Sequence, residues 1–126
     1  MRQELIDKLY NDFPKLFRED FDNFWIDQDG WFNLIYDLSS EINSIISLAD
    51  NPENYYLIQV KCKFSGLRYY MSKTTKEMDD IISLFEIKSY NTCILCGKDK
   101  DISQHKKHTR FYDLCETCSI IKNIIE

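Results

Sequence analysis

A chain of 126 residues is long enough for one domain with a buried core, or for one domain with a small appendage. Hydrophobic residues make up 44% of the chain, and it holds only 3 Gly and 2 Pro, which excludes collagen-like, low-complexity and wholly disordered chains. No uncharged apolar run approaches the roughly 20 residues of a membrane-spanning helix, and the first residues are charged where a signal peptide would be apolar. We therefore expect a cytoplasmic protein with no membrane segment.

The formal net charge of −5 is unevenly distributed along the chain. Residues 1–60 hold 12 acidic and 4 basic side chains, whereas residues 61–126 hold 9 acidic and 12 basic ones. A general nucleic-acid-binding protein has the opposite overall sign, because its Lys and Arg side chains neutralise phosphates. Carboxylates usually form a solvated face, but in the first half they are also a candidate contact for a protein partner. This candidate acidic surface consists of Glu19, Asp20, Asp22, Asp27 and Asp29.

The first predicted element is a helix over residues 3–12. Leu5 and Leu9 recur at helical spacing, and Pro14 is expected to end the helix because the residue before a proline avoids helical angles. Residues 16–30 mix aromatic and acidic side chains and predict no regular element. We expect the aromatic residues of this segment to pack on the core.

A long helix is predicted over residues 31–49. Its apolar residues recur mostly in steps of three and four, as in a helix with one face in the core, and Asn51-Pro52 follows as a stop signal. These apolar residues are Trp31, Leu34, Ile35, Leu38, Ile42, Ile45 and Ala49.

A β-hairpin is predicted over residues 55–71, because apolar and polar residues alternate in its first half. Ser65-Gly66 indicates the turn, with Gly66 supplying the positive φ that a two-residue connection needs. Cys62 is expected to be a buried structural thiol rather than a reactive one. The apolar face of the first strand is predicted to hold Tyr56, Ile58, Val60, Cys62 and Phe64.

The last helix of the body is predicted over residues 75–89. Thr74 and Glu77 form a capping-box pattern at its start. Its apolar face is predicted to hold Met78, Ile81, Ile82 and Phe85.

The strongest motif is a pair of C-x2-C sequences near the end of the chain. Cys93 and Cys96 form the first pair, Cys115 and Cys118 form the second, and 18 residues separate them, a spacing typical of zinc ribbons. Two residues between paired thiols let one turn present both sulfurs to the same ion, and four thiolates complete a tetrahedral shell. We predict one structural Zn(II), because a catalytic zinc keeps an open position. A redox dithiol, the competing use of a C-x2-C pair, predicts one pair after a strand rather than two pairs.

Two histidines between the cysteine pairs allow further interpretations. His105 and His108 could replace a cysteine as ligands, or His105 could be the base of an HNH-type nuclease, in which zinc knuckles flank a histidine-bearing ββα metal site. Residues 97–114 contain no Asn and are too short for that site, so we predict that the protein is not an enzyme. The segment could instead be a solvated loop, or a basic loop that contacts phosphate or an acidic protein. The candidate basic loop comprises Lys98, Lys100, His105, Lys106, Lys107, His108 and Arg110.

The chain is thus predicted to be α+β. A small helical body with a β-hairpin is expected over residues 1–90, and a four-cysteine zinc ribbon with a short C-terminal helix over residues 91–126. The residues that indicate this last helix are Ile120, Ile121, Ile124 and Ile125.

Three segments resemble a family of small uncharacterised proteins encoded by phages and prophages. They are residues 30–38 (GWFNLIYDL), residues 59–70 (QVKCKFSGLRYY) and the two cysteine pairs, and the similarity runs over about residues 29–118. The middle motif of that family typically reads QVKEKFGGLRFY, so Cys62 and Ser65 depart from it. The resemblance implies a phage accessory protein, and small acidic phage proteins of this kind are often inhibitors of host defence or transcription machinery.

We therefore expect a non-enzymatic protein that binds a host or defence-system protein in the host cytoplasm. It would act as a stoichiometric inhibitor or regulator, with its acidic surface mimicking a nucleic acid. The alternative is a nucleic-acid-binding zinc ribbon, or a degenerate HNH-like nuclease, that uses the basic loop. A third interpretation is a self-associating component whose interface contains Trp25, Tyr55, Tyr69 and Tyr70.

Overall fold

The computed structural model describes residues 1–99, 114–118 and 120. Their order is helix α1 (Gln3–Asp12), strand β1 (Phe24–Trp25), helix α2 (Phe32–Ser47), a 3-10 turn (Pro52–Asn54), strands β2 (Leu57–Lys63) and β3 (Gly66–Met71), and helix α3 (Lys76–Tyr90). The fold is mixed α+β with a C-terminal cluster of four cysteines, as predicted. Its sheet has three strands, one more than the predicted hairpin. No helix among the described residues is long and apolar enough to cross a bilayer.

The helices begin and end where local chemistry requires it. The helix α1 has the predicted bounds and stops at Phe13. The φ of −130° and ψ of 61° of Phe13 are not helical, in agreement with the rule that a residue before proline avoids the helical region. The helix α3 begins after Thr75, whose side-chain oxygen accepts a hydrogen bond from the N–H of Met78 at 3.2 Å. The predicted cap at Thr74 is therefore one residue early, because Thr75 is the threonine whose hydroxyl reaches a free N–H of the first turn.

The sheet has the order β1-β2-β3, with β1 parallel and β3 antiparallel to β2. The strand β1 was not predicted, since its two residues carry no periodic signal and its pairing with Val60 and Lys61 is distant in sequence. Phe24 is half-buried on the inner side, whereas Trp25 is 62% exposed. The expectation that every aromatic residue of this segment packs on the core is thus wrong for Trp25, because consecutive strand residues point to opposite faces.

A β-bulge changes the face that the sequence pattern assigned to part of β2. The register of β2 with β3 shifts between Leu57 and Gln59, so Leu57 and Val60 are both buried while Ile58 is 45% exposed. Strict alternation had placed Ile58 and Phe64 on the inner face. That placement is wrong for both, and Phe64 is 82% exposed because it lies in the turn after the strand.

The core lies between the inner face of the sheet and the helices. The helix α2 completely buries three residues of its predicted stripe, and α3 packs on both α2 and β3. Ile46 is also completely buried, whereas the predicted Ile45 is half-buried, because Ile46 follows the buried Ile42 by about one helical turn. In this core the hydroxyls of Ser39 and Tyr69 lie 2.9 Å apart, and burial raises the pKa of Tyr69 above its usual range. The three stripe residues are Ile35, Leu38 and Ile42.

The hairpin turn consists of Phe64 and Ser65, which have φ values of 52° and 64°. Positive φ at both central residues is typical of a type I′ turn, in which Asn-Gly is the preferred pair of central residues. Gly66, predicted to supply the positive φ, is instead the first residue of β3 and pairs with Lys63. Its missing side chain makes room for the ring of Tyr90, since a Cβ there would lie 2.5 Å from a ring carbon.

Replacing the two turn residues by the preferred pair should stabilise the protein. In the double variant Phe64→Asn with Ser65→Gly, positive φ becomes accessible without steric strain, and the mostly exposed Phe64 ring loses little burial. We expect the free energy of unfolding to rise by about 1–2 kcal/mol, measured as a higher urea midpoint.

The matched control is Ser83→Gly, which introduces glycine at an exposed position inside α3. This change should lower the free energy of unfolding by roughly 0.5 kcal/mol. A turn variant with a midpoint at or below that of the unmodified protein would contradict the assigned turn conformation.

Candidate metal centre

The first cysteine pair lies in a tight turn directly after α3. The N–H of Cys93 donates to the carbonyl of Lys98 at 2.7 Å, and the N–H of Gly97 donates to the carbonyl of Cys93 at 2.8 Å. Thr92 and Asp99 close the turn as an antiparallel bridge. Gly97 has a φ of 81°, a conformation that residues with a side chain rarely adopt. The turn therefore holds the thiols of Cys93 and Cys96 on one side.

The second cysteine pair lies at the start of a helical segment. Residues 116–118 and residue 120 are helical, and Leu114 is buried just before them. Cys115 directly precedes this helical turn and Cys118 lies within it, so one turn brings both thiols to the same side. The later isoleucines of the predicted C-terminal helix lie outside the described residues.

The four cysteines have the geometry of a zinc site. Their sulfurs all lie within 4.8 Å of one another, and the Sγ atoms of Cys96 and Cys115 are 3.7 Å apart. A tetrahedron with metal–sulfur bonds of about 2.3 Å has edges of about 3.8 Å, whereas a disulfide would bring two sulfurs to about 2.05 Å. The cluster can therefore hold one metal ion with four sulfur ligands.

The surroundings of the cluster already favour a thiolate at one position. Burial acts to raise the pKa of Cys93, but backbone N–H groups of Cys115, Cys96 and Leu95 outweigh it and lower the pKa to about 7. At Cys118, burial and the neighbouring thiols raise the pKa well above its usual range. Without a cation, deprotonation of further cysteines is therefore unfavourable, because the thiolates would repel one another. A bound dication removes this repulsion.

The first cysteine turn is docked on the start of α2. The N–H of Gly30 donates to the carbonyl of Ile94 at 2.7 Å, and the indole N–H of the fully buried Trp31 donates to the carbonyl of Thr92 at 2.9 Å. A Cβ on Gly30 would lie only 2.4 Å from the carbonyl oxygens of Cys93 and Ile94. The metal site is therefore built against the body, at a place where only glycine fits.

Sequence reasoning found the four sulfur ligands but missed this docking site. Gly30 and Trp31 were singled out only as part of a family resemblance and of the helix stripe. The available signal was the scarcity of glycine: two of the chain's three glycines, Gly30 and Gly97, approach each other at this contact.

The structure describes only one member of the candidate basic loop. Lys98 is exposed, and its carbonyl is used to fix the first cysteine turn. The remaining predicted members lie outside the described residues, namely Lys100, His105, Lys106, Lys107, His108 and Arg110.

The candidate acidic surface divides into two groups. Asp29 is half-buried and its carboxylate accepts hydrogen bonds from the backbone N–H and the Nε of Arg2, both at 2.8 Å. The backbone hydrogen bond from Arg2 is the main cause that lowers the pKa of Asp29, so this carboxylate anchors the chain start near α2. The remaining four are exposed, and none forms an ion pair with a described residue. They are Glu19, Asp20, Asp22 and Asp27.

Neither a protein-family model, nor a curated protein, nor a solved structure matches the chain.

The substitution Gly30→Ala should disrupt the docking of the first cysteine turn. Its new Cβ would overlap two carbonyl oxygens. Because these oxygens belong to the backbone, they cannot move aside as the end of a flexible side chain can. We expect the free energy of unfolding to fall by about 2 kcal/mol and metal affinity to fall by at least roughly tenfold, since metal binding is coupled to folding of the site. Chelator competition measures the affinity.

Gly66→Ala is the control for Gly30→Ala. Its Cβ would meet the ring of Tyr90, a side chain that can shift, and it lies outside the cysteine cluster. Equal losses of metal affinity in the two variants would disprove a specific role for Gly30.

Proposed function

We propose that the four cysteines bind one Zn(II) whose role is structural. The sulfur-only ligand set and the 3.7 Å edge between Cys96 and Cys115 support zinc, which favours tetrahedral thiolate sites. Four protein ligands leave no open position for substrate or water. The ion would fasten the second cysteine pair to a turn that is already docked on α2.

Removing one ligand should release the ion and unfold the cysteine segment. For Cys93→Ser and Cys115→Ser we expect loss of the bound zinc and a lower melting temperature, because metal-binding free energy contributes directly to folding there. Metal analysis and thermal melts measure both effects. Cobalt substitution adds a spectroscopic readout, because thiolate-to-cobalt charge transfer reports sulfur ligation.

Cys62→Ser is the matched control, since Cys62 lies in β2 outside the cluster. It should retain one zinc per chain. Intact zinc content and an unchanged melting curve in Cys93→Ser would refute the proposed site.

We further propose that the protein is a non-enzymatic regulator or inhibitor that binds a host or defence-system protein. The observation that carries this proposal is the group of four exposed carboxylates within residues 19–27 that no described cation neutralises. In contrast, carboxylates such as those of Asp12 and Glu86 are held in ion pairs. Unpaired negative charge of this density steers association with a cationic surface and fixes its register. A cationic groove that normally receives nucleic acid is the kind of partner that this surface would fit.

The resemblance to phage proteins is the reason for proposing a host or defence target. A nucleic-acid-binding zinc ribbon would use the loop from Lys98 to Arg110, and an HNH-like nuclease would use His105. Apart from Lys98, the basic residues of that loop lie outside the described residues. The closed set of four sulfur ligands favours the binding role over catalysis.

Affinity capture with the zinc-loaded protein tests the partner proposal. We expect a bacterial protein to be retained from a lysate both before and after nuclease treatment. Charge reversal by Asp20→Lys with Asp22→Lys should reduce its retention at least roughly tenfold and slow its association at low salt, since steering depends on surface charge.

The control reverses two exposed carboxylates outside the segment, Glu41→Lys with Asp50→Lys. It changes the net charge by the same amount and should retain the partner. Recovery that disappears on nuclease digestion, or equal losses in both variants, would rule against the acidic surface as the contact.

A further inference from the structure

The outer face of the sheet is a surface that the proposed function does not use. Val60 and Tyr69 form a buried pair on the inner face, so the residues next to them in each strand point outward. At the outer face Trp25 is 62% exposed and Tyr70 is 42% exposed. No element among the described residues covers these two rings.

The charged residues at the outward strand positions are all basic, in an otherwise acidic protein. Trp25 is in register with Lys61, and Lys61 with Arg68, so one row crosses all three strands. None of the outward strand positions carries a carboxylate. These positions are Trp25, Gln59, Lys61, Lys63, Arg68 and Tyr70.

Neither lysine of this face forms an ion pair with a described residue, whereas the arginine is held by one. Arg68 lies 2.5 Å from Glu86 and its side chain is 18% exposed. The ammonium of Lys61 lies 5.9 Å from the ring of Tyr70, and that of Lys63 lies 5.7 Å from the ring of Phe64. Cations and aromatic faces therefore alternate along the surface.

The hairpin tip extends the same surface with a third ring. Phe64 is 82% exposed and sits at a φ of 52°, a costly conformation for a bulky residue. Strained backbone conformations of this kind are enriched at binding and functional sites. An exposed ring held in this way is unexplained by packing.

We propose that this face, defined by Trp25, Lys61, Tyr70 and the tip residue Phe64, binds single-stranded nucleic acid. Unpaired bases stack on exposed aromatic rings, and nearby lysines contact the phosphates. Neighbouring strands are about 4.8 Å apart, and Trp25 and Tyr70 lie on the two outer strands of the sheet. Their rings are therefore too far apart for two stacked bases and suit two bases that are separated from each other. Two lysines are too few to hold a duplex, whose binding depends mainly on phosphate contacts.

Tryptophan fluorescence tests this proposal directly on the full-length zinc-loaded protein. Of the two tryptophans, Trp31 is fully buried and Trp25 is exposed, so quenching by a short oligothymidylate reports stacking on Trp25. We expect saturable quenching, and a slope of log affinity against log salt of about −1.4 for two phosphate contacts.

Two variants separate binding from folding. Lys61→Glu should weaken oligothymidylate binding at least roughly tenfold, whereas Lys15→Glu, an equal charge change at an exposed residue outside the sheet, should have little effect. The variant Phe64→Asn with Ser65→Gly should bind several-fold more weakly although it is expected to be more stable.

The following outcomes would overturn the proposal. The first is that oligothymidylate does not quench the fluorescence. The second is that polyglutamate or duplex DNA quenches it as strongly as oligothymidylate does. The third is that Lys61→Glu leaves the affinity for oligothymidylate unchanged. Binding without any change in Trp25 fluorescence would place the nucleic acid elsewhere on the chain and would equally overturn it. Retention of a protein partner is measured separately, so either result leaves the acidic-surface proposal to its own test.

Discussion

The close approach of two backbones at Gly30 is the constraint on which the C-terminal part of the structure depends. The Gly30 N–H and the neighbouring Trp31 indole bond the carbonyls of Ile94 and Thr92, and no side chain fits between the two segments. This contact fixes the first cysteine turn on the start of α2 before any ion is considered. A metal held by the four cysteines would join the second pair to a turn that the body already holds, so part of the entropy cost of forming the site is met by folding of the body.

The sheet places apolar core residues on one face and exposed aromatic and basic residues on the other, although the two kinds alternate along the sequence. Its inner face closes the core through Val60, Leu67 and Tyr69, all nearly inaccessible to solvent. Its outer face carries rings and lysines, while the exposed carboxylates of the candidate acidic surface lie before and after β1. Because consecutive strand residues alternate in direction, the adjacent residues Phe24 and Trp25 serve the core and the surface respectively.

What the sequence predicted was what local chemistry determines. The helix over residues 3–12 and the long buried stripe of α2 follow from apolar spacing, and the four cysteines follow from the narrow ligand requirements of a tetrahedral metal. The parallel strand β1 and the docking of Gly30 depend on partners more than 30 residues away in the chain. Local sequence patterns extend over fewer residues than that and therefore cannot indicate these contacts. The bulge after Leu57 moved Ile58 outward without any glycine or proline to indicate it.

The hydrogen bond between Trp31 and Thr92 links residues 61 positions apart in the chain. During synthesis the whole α2 helix and the hairpin leave the ribosome before Thr92, at about 5–20 residues per second. Over that interval the indole N–H of Trp31 lacks the acceptor that it has in the finished fold, and a buried donor without an acceptor is destabilising. The packing of the buried Trp31 at the start of α2 therefore depends on a turn that begins 61 residues later in the chain.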